Sequence, residues 1–327
     1  MSFSLLIVRL LYVCWGFFVL SNEYIMKKKW IIIAALVQAV HTFAQIELRS
    51  EYLPQQKYIN DNGDKTDGKS SALTTTFTAT IPVSVKPTAY RQPRVWAATL
   101  NASYTSFSNE GAAAEALPKE IGSAEAGVQY MVPLHQKLMF VGGVSAGVYT
   151  TDIHLKNVDI DNLIVNVYSA LVWDIHPKMK AGVSLIANNA FDKPMLIPFP
   201  YFQYHSEKKR GMEYHAELSY NPKFSVGYRF NDVFALRIVN RPRFFFAPAK
   251  IDGKKKYFDH HYVSLGMEPE LKFSNWAVSG SFGANFGRTD RYRDRDPSKF
   301  LKWGDASFDP SFFISAGIKY NFAAKQK

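Results

Sequence analysis

Phe313-Ile314-Ser315-Ala316-Gly317-Ile318-Lys319-Tyr320-Asn321-Phe322 alternates almost residue by residue between apolar and polar or small side chains. An extended backbone sends successive side chains to opposite faces. Ile314, Ala316, Ile318, Tyr320 and Phe322 therefore share one face, and Ser315, Gly317, Lys319 and Asn321 share the other. The apolar face ends in two aromatics two residues apart, the pattern of the aromatic girdle at the rim of a membrane β-barrel. The segment predicts the closing strand of such a barrel, its wet face turned to the interior.

Upstream, period-two segments follow one another from Gln45 onward, with no helical periodicity among them. In Leu73 to Val85, Phe77, Ala79, Ile81, Val83 and Val85 oppose Thr74, Thr76, Thr78, Thr80 and Ser84, and Pro82 predicts a bulge because it cannot donate to the ladder. Further strands are predicted over 46–52, 95–107, 123–134, 138–149, 163–173, 179–187, 198–204, 212–220, 224–230, 233–239, 262–273 and 276–286. Short turns are expected at 135–136, 176–178, 231–232 and 274–275. Long loops are expected at 55–71, 108–122, 150–161, 188–197, 240–260 and 287–310. Alternating short and long connections suit an all-β, transmembrane, antiparallel up-and-down barrel, with short turns at one end and long loops at the other. The count is about 14 strands, with 12 as the alternative if the proline-rich middle is parsed differently.

Before Gln45 the composition changes. Met26-Lys27-Lys28-Lys29 reads as a charged n-region, Trp30 to Val40 as an apolar core, and Thr42-Phe43-Ala44 as a cleavage site, so residues 26–44 are expected to be a signal peptide. Residues 1–25 read as an upstream extension, with translation starting at Met26, and residues 45–327 as the barrel. Loss of residues 1–44 would lower the net charge from +11 to +8, by removing Arg9, Lys27, Lys28, Lys29 and Glu23. It would also remove the only cysteine, Cys14, and with it any thiol or disulfide chemistry. For an exported basic chain, phosphate-bearing lipid is the expected anionic neighbour rather than nucleic acid.

The signal-like leader, the alternating connections, the Tyr228-Arg229-Phe230-Asn231-Asp232-Val233-Phe234-Ala235-Leu236 hairpin and the Ile318-Lys319-Tyr320-Asn321-Phe322 ending resemble an uncharacterised family of outer-membrane β-barrel proteins carrying a domain of unknown function. The resemblance implies a barrel in the outer membrane of a Gram-negative bacterium, and it implies no catalytic residue. Outer-membrane lipid and glycolipid and the barrel assembly machinery are then the expected partners of a monomer with no cofactor.

The inward register collects Glu47, Glu51, Glu125, Glu213, Glu217, Glu268 and Glu270 against Arg49, Lys180, Arg229, Arg237, Lys272 and Lys319. His215 falls between Glu213 and Glu217 on the same face. These are the candidate lumen-lining groups. Seven acids against six bases predict either a salt-bridged filling or the weakly selective wall of a small channel. The basic excess falls in the expected loops, including Arg241, Arg243 and Lys254-Lys255-Lys256. Arg288, Arg291, Arg293 and Arg295 are the candidates for contact with glycolipid phosphate, since arginine forms paired hydrogen bonds with phosphate. Asp259-His260-His261 is a weak metal pattern and His261 with Ser264 a weak hydrolytic one, and no metal site or catalytic residue is assigned. The expected function is a small-solute channel or transport barrel. A plugged structural or surface-contact barrel and a membrane lipid hydrolase are the alternatives.

Overall fold

The computed structural model describes residues 45–322 apart from 61, 91, 155–157, 192–194, 207–209, 219–221 and 297–306. The expected leader over 1–44 lies outside the described residues. Fourteen strands follow in order. The first seven are β1 (Gln45–Ile59), β2 (Lys65–Lys86), β3 (Arg94–Glu110), β4 (Glu120–His135), β5 (Leu138–Thr150), β6 (Leu163–His176) and β7 (Met179–Asn188). The second seven are β8 (Met195–Ser206), β9 (Gly211–Leu218), β10 (Lys223–Arg229), β11 (Phe234–Ile251), β12 (Lys254–Phe273), β13 (Trp276–Asp294) and β14 (Ser311–Asn321). Each pairs antiparallel with its sequence neighbour, and β14 closes on β1 from Gln45↔Asn321 to Tyr52↔Ile314. The fold is a closed 14-strand antiparallel all-β barrel, so the proline-rich middle contributes the strands expected of it.

Registers explain the alternation. On β14, Phe312, Ile314 and Ile318 point outward and are exposed, while Phe313 and Ser315 are buried inside. The same parity places Leu48, Leu100, Val128, Val144, Val167, Val183, Val226, Ile238, Leu265 and Val278 on the outside, all exposed. Near one rim the outward face carries aromatic pairs: Trp96 with Tyr130 (centroids 4.4 Å apart), Trp276 with Tyr320 (4.6 Å) and Tyr320 with Phe322 (4.7 Å). The β2–β3 register slips between Pro82 and Ser84, the bulge that Pro82 predicts. Pro198 and Pro200 sit in β8 opposite β7, and the pairing of β8 with β9 covers only Phe202 to Ser206. Without an N–H, a proline serves a ladder on one side only.

Three expected loops contain sheet among the described residues. β1 and β2 extend to Ile59 and from Lys65, which removes most of the loop expected over 55–71. The loop expected over 240–260 is a long β11–β12 hairpin turning at Asp252-Gly253, with φ 51° and 75°. Two successive left-handed residues match the right-handed twist of a two-residue hairpin. The charged run from Arg288 to Asp294 continues β13 beyond a bulge at Gly287. Strands this long need not sit wholly within the apolar belt. A short helix, α1 (Ala112–Ala116), between β3 and β4 also departs from the expectation of strand alone.

The outer part of the β11–β12 hairpin loses strict alternation, and Tyr257 and Phe258 are both buried. One face packs Phe245, Ala247, Phe258 and Tyr262 against Leu53, Tyr58, Phe107, Leu117, Ile121 and Phe308, with Ala113 of α1. The other packs Phe246 and Tyr257 against Tyr149, Ile164, Ala190 and Phe191. The hairpin thus forms a slab across this mouth of the barrel, between β1–β4 and β5–β8. Replacing Gly253 by valine should cost about 1–2 kcal/mol in the left-handed region. Amide hydrogen exchange should then quicken roughly tenfold at the hairpin tip while the β1–β14 seam is unchanged.

Candidate functional site in the lumen

The interior is packed unevenly. Under β1 and β9–β14 it is filled by ion pairs. Arg49 on β1 reaches Glu268 on β12 (Nη1–Oε2 3.3 Å) and Glu47 (3.1 Å), and donates to Ser279 (3.0 Å) and Ser315 (3.2 Å). Arg241 on β11 grips the same Glu268 carboxylate, which also accepts from Ser281 Oγ at 2.7 Å. Gly317 makes room, because a Cβ there would lie 3.0 Å from the Arg49 guanidinium carbon. A second knot joins Glu213 on β9 to Arg229 on β10 and to Arg237 on β11 (2.8 Å). Glu270 closes it onto Arg237 (2.9 Å), with Lys272 at 3.8 Å.

The structure therefore brings Glu213, Arg229, Arg237, Glu270 and Lys272 together, places Glu268 with Arg49 and Arg241, and separates His215 from Glu213. His215 instead meets His205 (Nδ1···Nδ1 3.1 Å) and Glu217 (3.6 Å). Lys319 faces inward opposite Glu47 and Ala277. Glu125 on β4 and Lys180 on β7 stand on the opposite wall.

Arg241 and Arg243 belong to strand β11, inside the barrel, not to a loop. The arginines expected at the lipid surface are placed differently too. Arg288 is fully buried, donating to Asp290 (2.6 and 2.9 Å), Gln56 (2.9 Å) and Ser70 (3.0 and 3.2 Å), with Phe308 stacked 4.1 Å away. Its guanidinium is spent on the protein and cannot reach lipid phosphate. Arg295 is buried and donates to the carbonyls of Ala190 (2.8 Å) and Asn189 (3.1 Å). Arg293 pairs with Asp259 (3.0 Å), and Arg291 donates to Ser307 (3.5 Å). An i, i+2 reading of Arg288, Asp290, Tyr292 and Asp294 would have revealed a strand face in that charged run.

His260 and His261 lie on opposite faces of β12. His260 binds Asp290 in the fully buried cluster and His261 binds Asp259 (3.0 Å), so the pattern Asp259-His260-His261 does not converge on a metal. Ser264 donates to Glu51 (2.8 Å), on the opposite face from His261. Glu120, Asp152 and His154 bring one ligand atom each within 4.8 Å at the rim, on exposed or half-buried side chains. There the Asp152 hydrogen bond raises the His154 pKa.

The wall made by β2–β8 is different. Thr76, Thr78, Thr80, Thr99, Asn101 and Ser103 are short polar side chains, and they leave a chamber of about 680 Å³. Met131, Met139, Val141, Ile186, Tyr168 and Tyr201 add an apolar side, and Arg243 and Phe245 of β11 close it from across the barrel. Sequence reading found this wall's charged residues but not the chamber, whose signal was the run of small polar residues on β2 and β3. At the mouth, Lys255 of the hairpin tip binds Asp161 (2.7 Å), and that hydrogen bond lowers the Asp161 pKa.

Residues 40–321 match the family described as a domain of unknown function (DUF6268), and the chain belongs to that family. No curated protein matches it. Among solved structures it is similar to an outer-membrane channel from Pseudomonas putida F1, at 11% identity and TM-score 0.43, over 85% of this chain and 95% of that one. It is also similar to the translocator domain of the autotransporter NalP from Neisseria meningitidis, at 10% identity and TM-score 0.36, over 91% and 95%. A third similarity is to a TodX monoaromatic hydrocarbon channel mutant, at 10% identity and TM-score 0.33, over 89% and 94%.

Replacing Glu268 by alanine strands Arg49 and Arg241 in the buried knot, which should lower barrel stability by about 3–5 kcal/mol. Removing the exposed Lys65–Asp309 pair should cost less than about 1 kcal/mol. Denaturant midpoints in detergent measure both. The lowered Asp161 pKa means that its link to Lys255 holds above the ordinary carboxylate range and is lost as pH falls through the folded value. Exchange protection at the hairpin tip should therefore drop in acid, and Asp161→Asn should abolish that pH dependence.

Proposed function

We propose that this protein is an outer-membrane barrel that binds and passes small solutes through an off-centre chamber. The observation that carries the reading is a closed barrel with an apolar outer belt, bounded near one rim by aromatic pairs, around a polar interior that holds a chamber of about 680 Å³ among the described residues. A closed barrel leaves no unpaired strand edge, and its apolar outside suits acyl chains. In this orientation the short turns lie in the periplasm and the hairpin slab covers the outer mouth. The chamber falls within the roughly 300–1,000 Å³ typical of small-molecule sites.

Two measurements test this. Ile314→Arg, on the outward face of β14, should destabilise the inserted barrel by about 2–4 kcal/mol, while Ile314→Leu at the same exposed site should have little effect. In planar bilayers the complete chain should show small or rare conductance steps, and a variant with residues 246–259 replaced by an Asn-Gly turn, joining the paired Phe245 and His260, should conduct steadily. An unboiled gel shift would verify that the shortened barrel is folded. A folded variant as silent as the complete chain would overturn passage through this lumen.

A further inference from the structure

We propose that the chamber takes a dipolar solute, a small molecule with an anionic group seated on Arg243 and a cationic group seated on Glu125. This rests on the reading of the chamber as a solute site and deepens it. Four charged side chains line the space: Glu125, Lys180, Glu217 and Arg243. Lys180 has Asp174 at 3.8 Å, and Glu217 has His215 at 3.6 Å. Glu125 has no ion pair among the described residues. Its carboxylate accepts from the Tyr149 hydroxyl, from Asn166 Nδ2 (2.9 Å) and from Asn101 Nδ2 (3.3 Å). Three neutral donors fix its position without cancelling its charge.

Arg243 is its counterpart. It is half-buried, and among the described residues it makes no hydrogen bond or ion pair, whereas Arg49, Arg229, Arg237, Arg241 and Arg288 each hold a carboxylate. A free guanidinium with its fork intact suits a carboxylate or phosphate. The two groups enter one chamber from opposite walls, and β11 passes within 8 Å of β4. Beside them Phe246 stacks on Tyr149 with ring centroids 5.5 Å apart.

Partly desolvated charges without a counter-charge are unfavourable, and a ligand with both charges relieves both. A singly charged ligand relieves one and leaves the other exposed to the new apolar neighbour. Selectivity for dipolar over singly charged solutes then follows from the wall itself. Phe245, Val141, Met139 and Ile186 give the intervening hydrocarbon somewhere to lie.

The test is isothermal titration of the complete chain in detergent with glycine, 4-aminobutanoate and 6-aminohexanoate, against hexanoate and hexylamine. At least one of the three amino acids should bind ten-fold or more tightly than either singly charged probe. In Arg243→Gln that preference over hexylamine should vanish, and in Glu125→Gln the preference over hexanoate should vanish, with the gel shift of both variants intact. Hexanoate binding as tightly as the amino acids and unaffected by Glu125→Gln would reduce the site to a plain anion site and overturn the proposal. So would no saturable binding of any amino acid. Bilayer conductance reads the transport role separately: a conducting barrel with no dipolar preference fails only here, and a dipolar binder that never conducts fails only there.

Discussion

Closing a sheet of fourteen strands creates an interior too wide for the wall's own side chains to fill by meeting in the middle. The same closure commits every second side chain to that interior. The outward set is apolar, so the inward set must be polar, and much of it charged, and each charge needs a partner in a space only partly wet. The rest of the molecule follows from how that volume is occupied. Under β9–β14 and β1 it is occupied by arginines and glutamates in multiply bonded knots. At one mouth it is occupied by a hairpin long enough to lean across and bury aromatics on both its faces.

Side-chain size then decides where space remains. The filled half uses arginine, whose fork can bind two partners at once, and glycine or serine at the positions that must give way to it, such as Gly317 beside Arg49. The open half uses threonine, serine and asparagine, which satisfy the polar register but reach only a short way inward. Both walls obey the same period-two rule. The short polar residues of β2 and β3, beside an apolar side from β4, β5 and β7, leave the chamber eccentric.

This is also why the fold was legible in the sequence and the site only in part. Alternation is local, so strands such as 73–85 and 313–322 can be read from their own residues, and the Pro82 bulge with them. Which inward arginine meets which glutamate depends on strands far apart in sequence, as Arg49 and Glu268 are, and no local pattern reports it. The stretches 240–260 and 287–294 were misread for a related reason. Their charges and prolines look like solvated loop, but in the structure they face the slab interior, where Asp290 compensates Arg288 and Asp259 compensates Arg293. A charge run whose signs pair across a neighbouring strand is as compatible with buried sheet as with water.

The slab and the chamber wall are one element. Arg243 lies three residues before Phe246, where β11 leaves the wall and begins to cross the mouth, and Phe246 rests on the Tyr149 ring whose hydroxyl holds Glu125. A displacement of the hairpin cannot occur without moving the guanidinium relative to the carboxylate. Conversely, on the proposed reading, a solute bridging those two groups ties the hairpin to β4 and β5. Its binding energy is then shared with the closed position of the slab. By linkage, the factor by which closure of the slab tightens solute binding is the factor by which bound solute favours closure. On that proposed reading, occlusion and recognition are two consequences of the course of one strand.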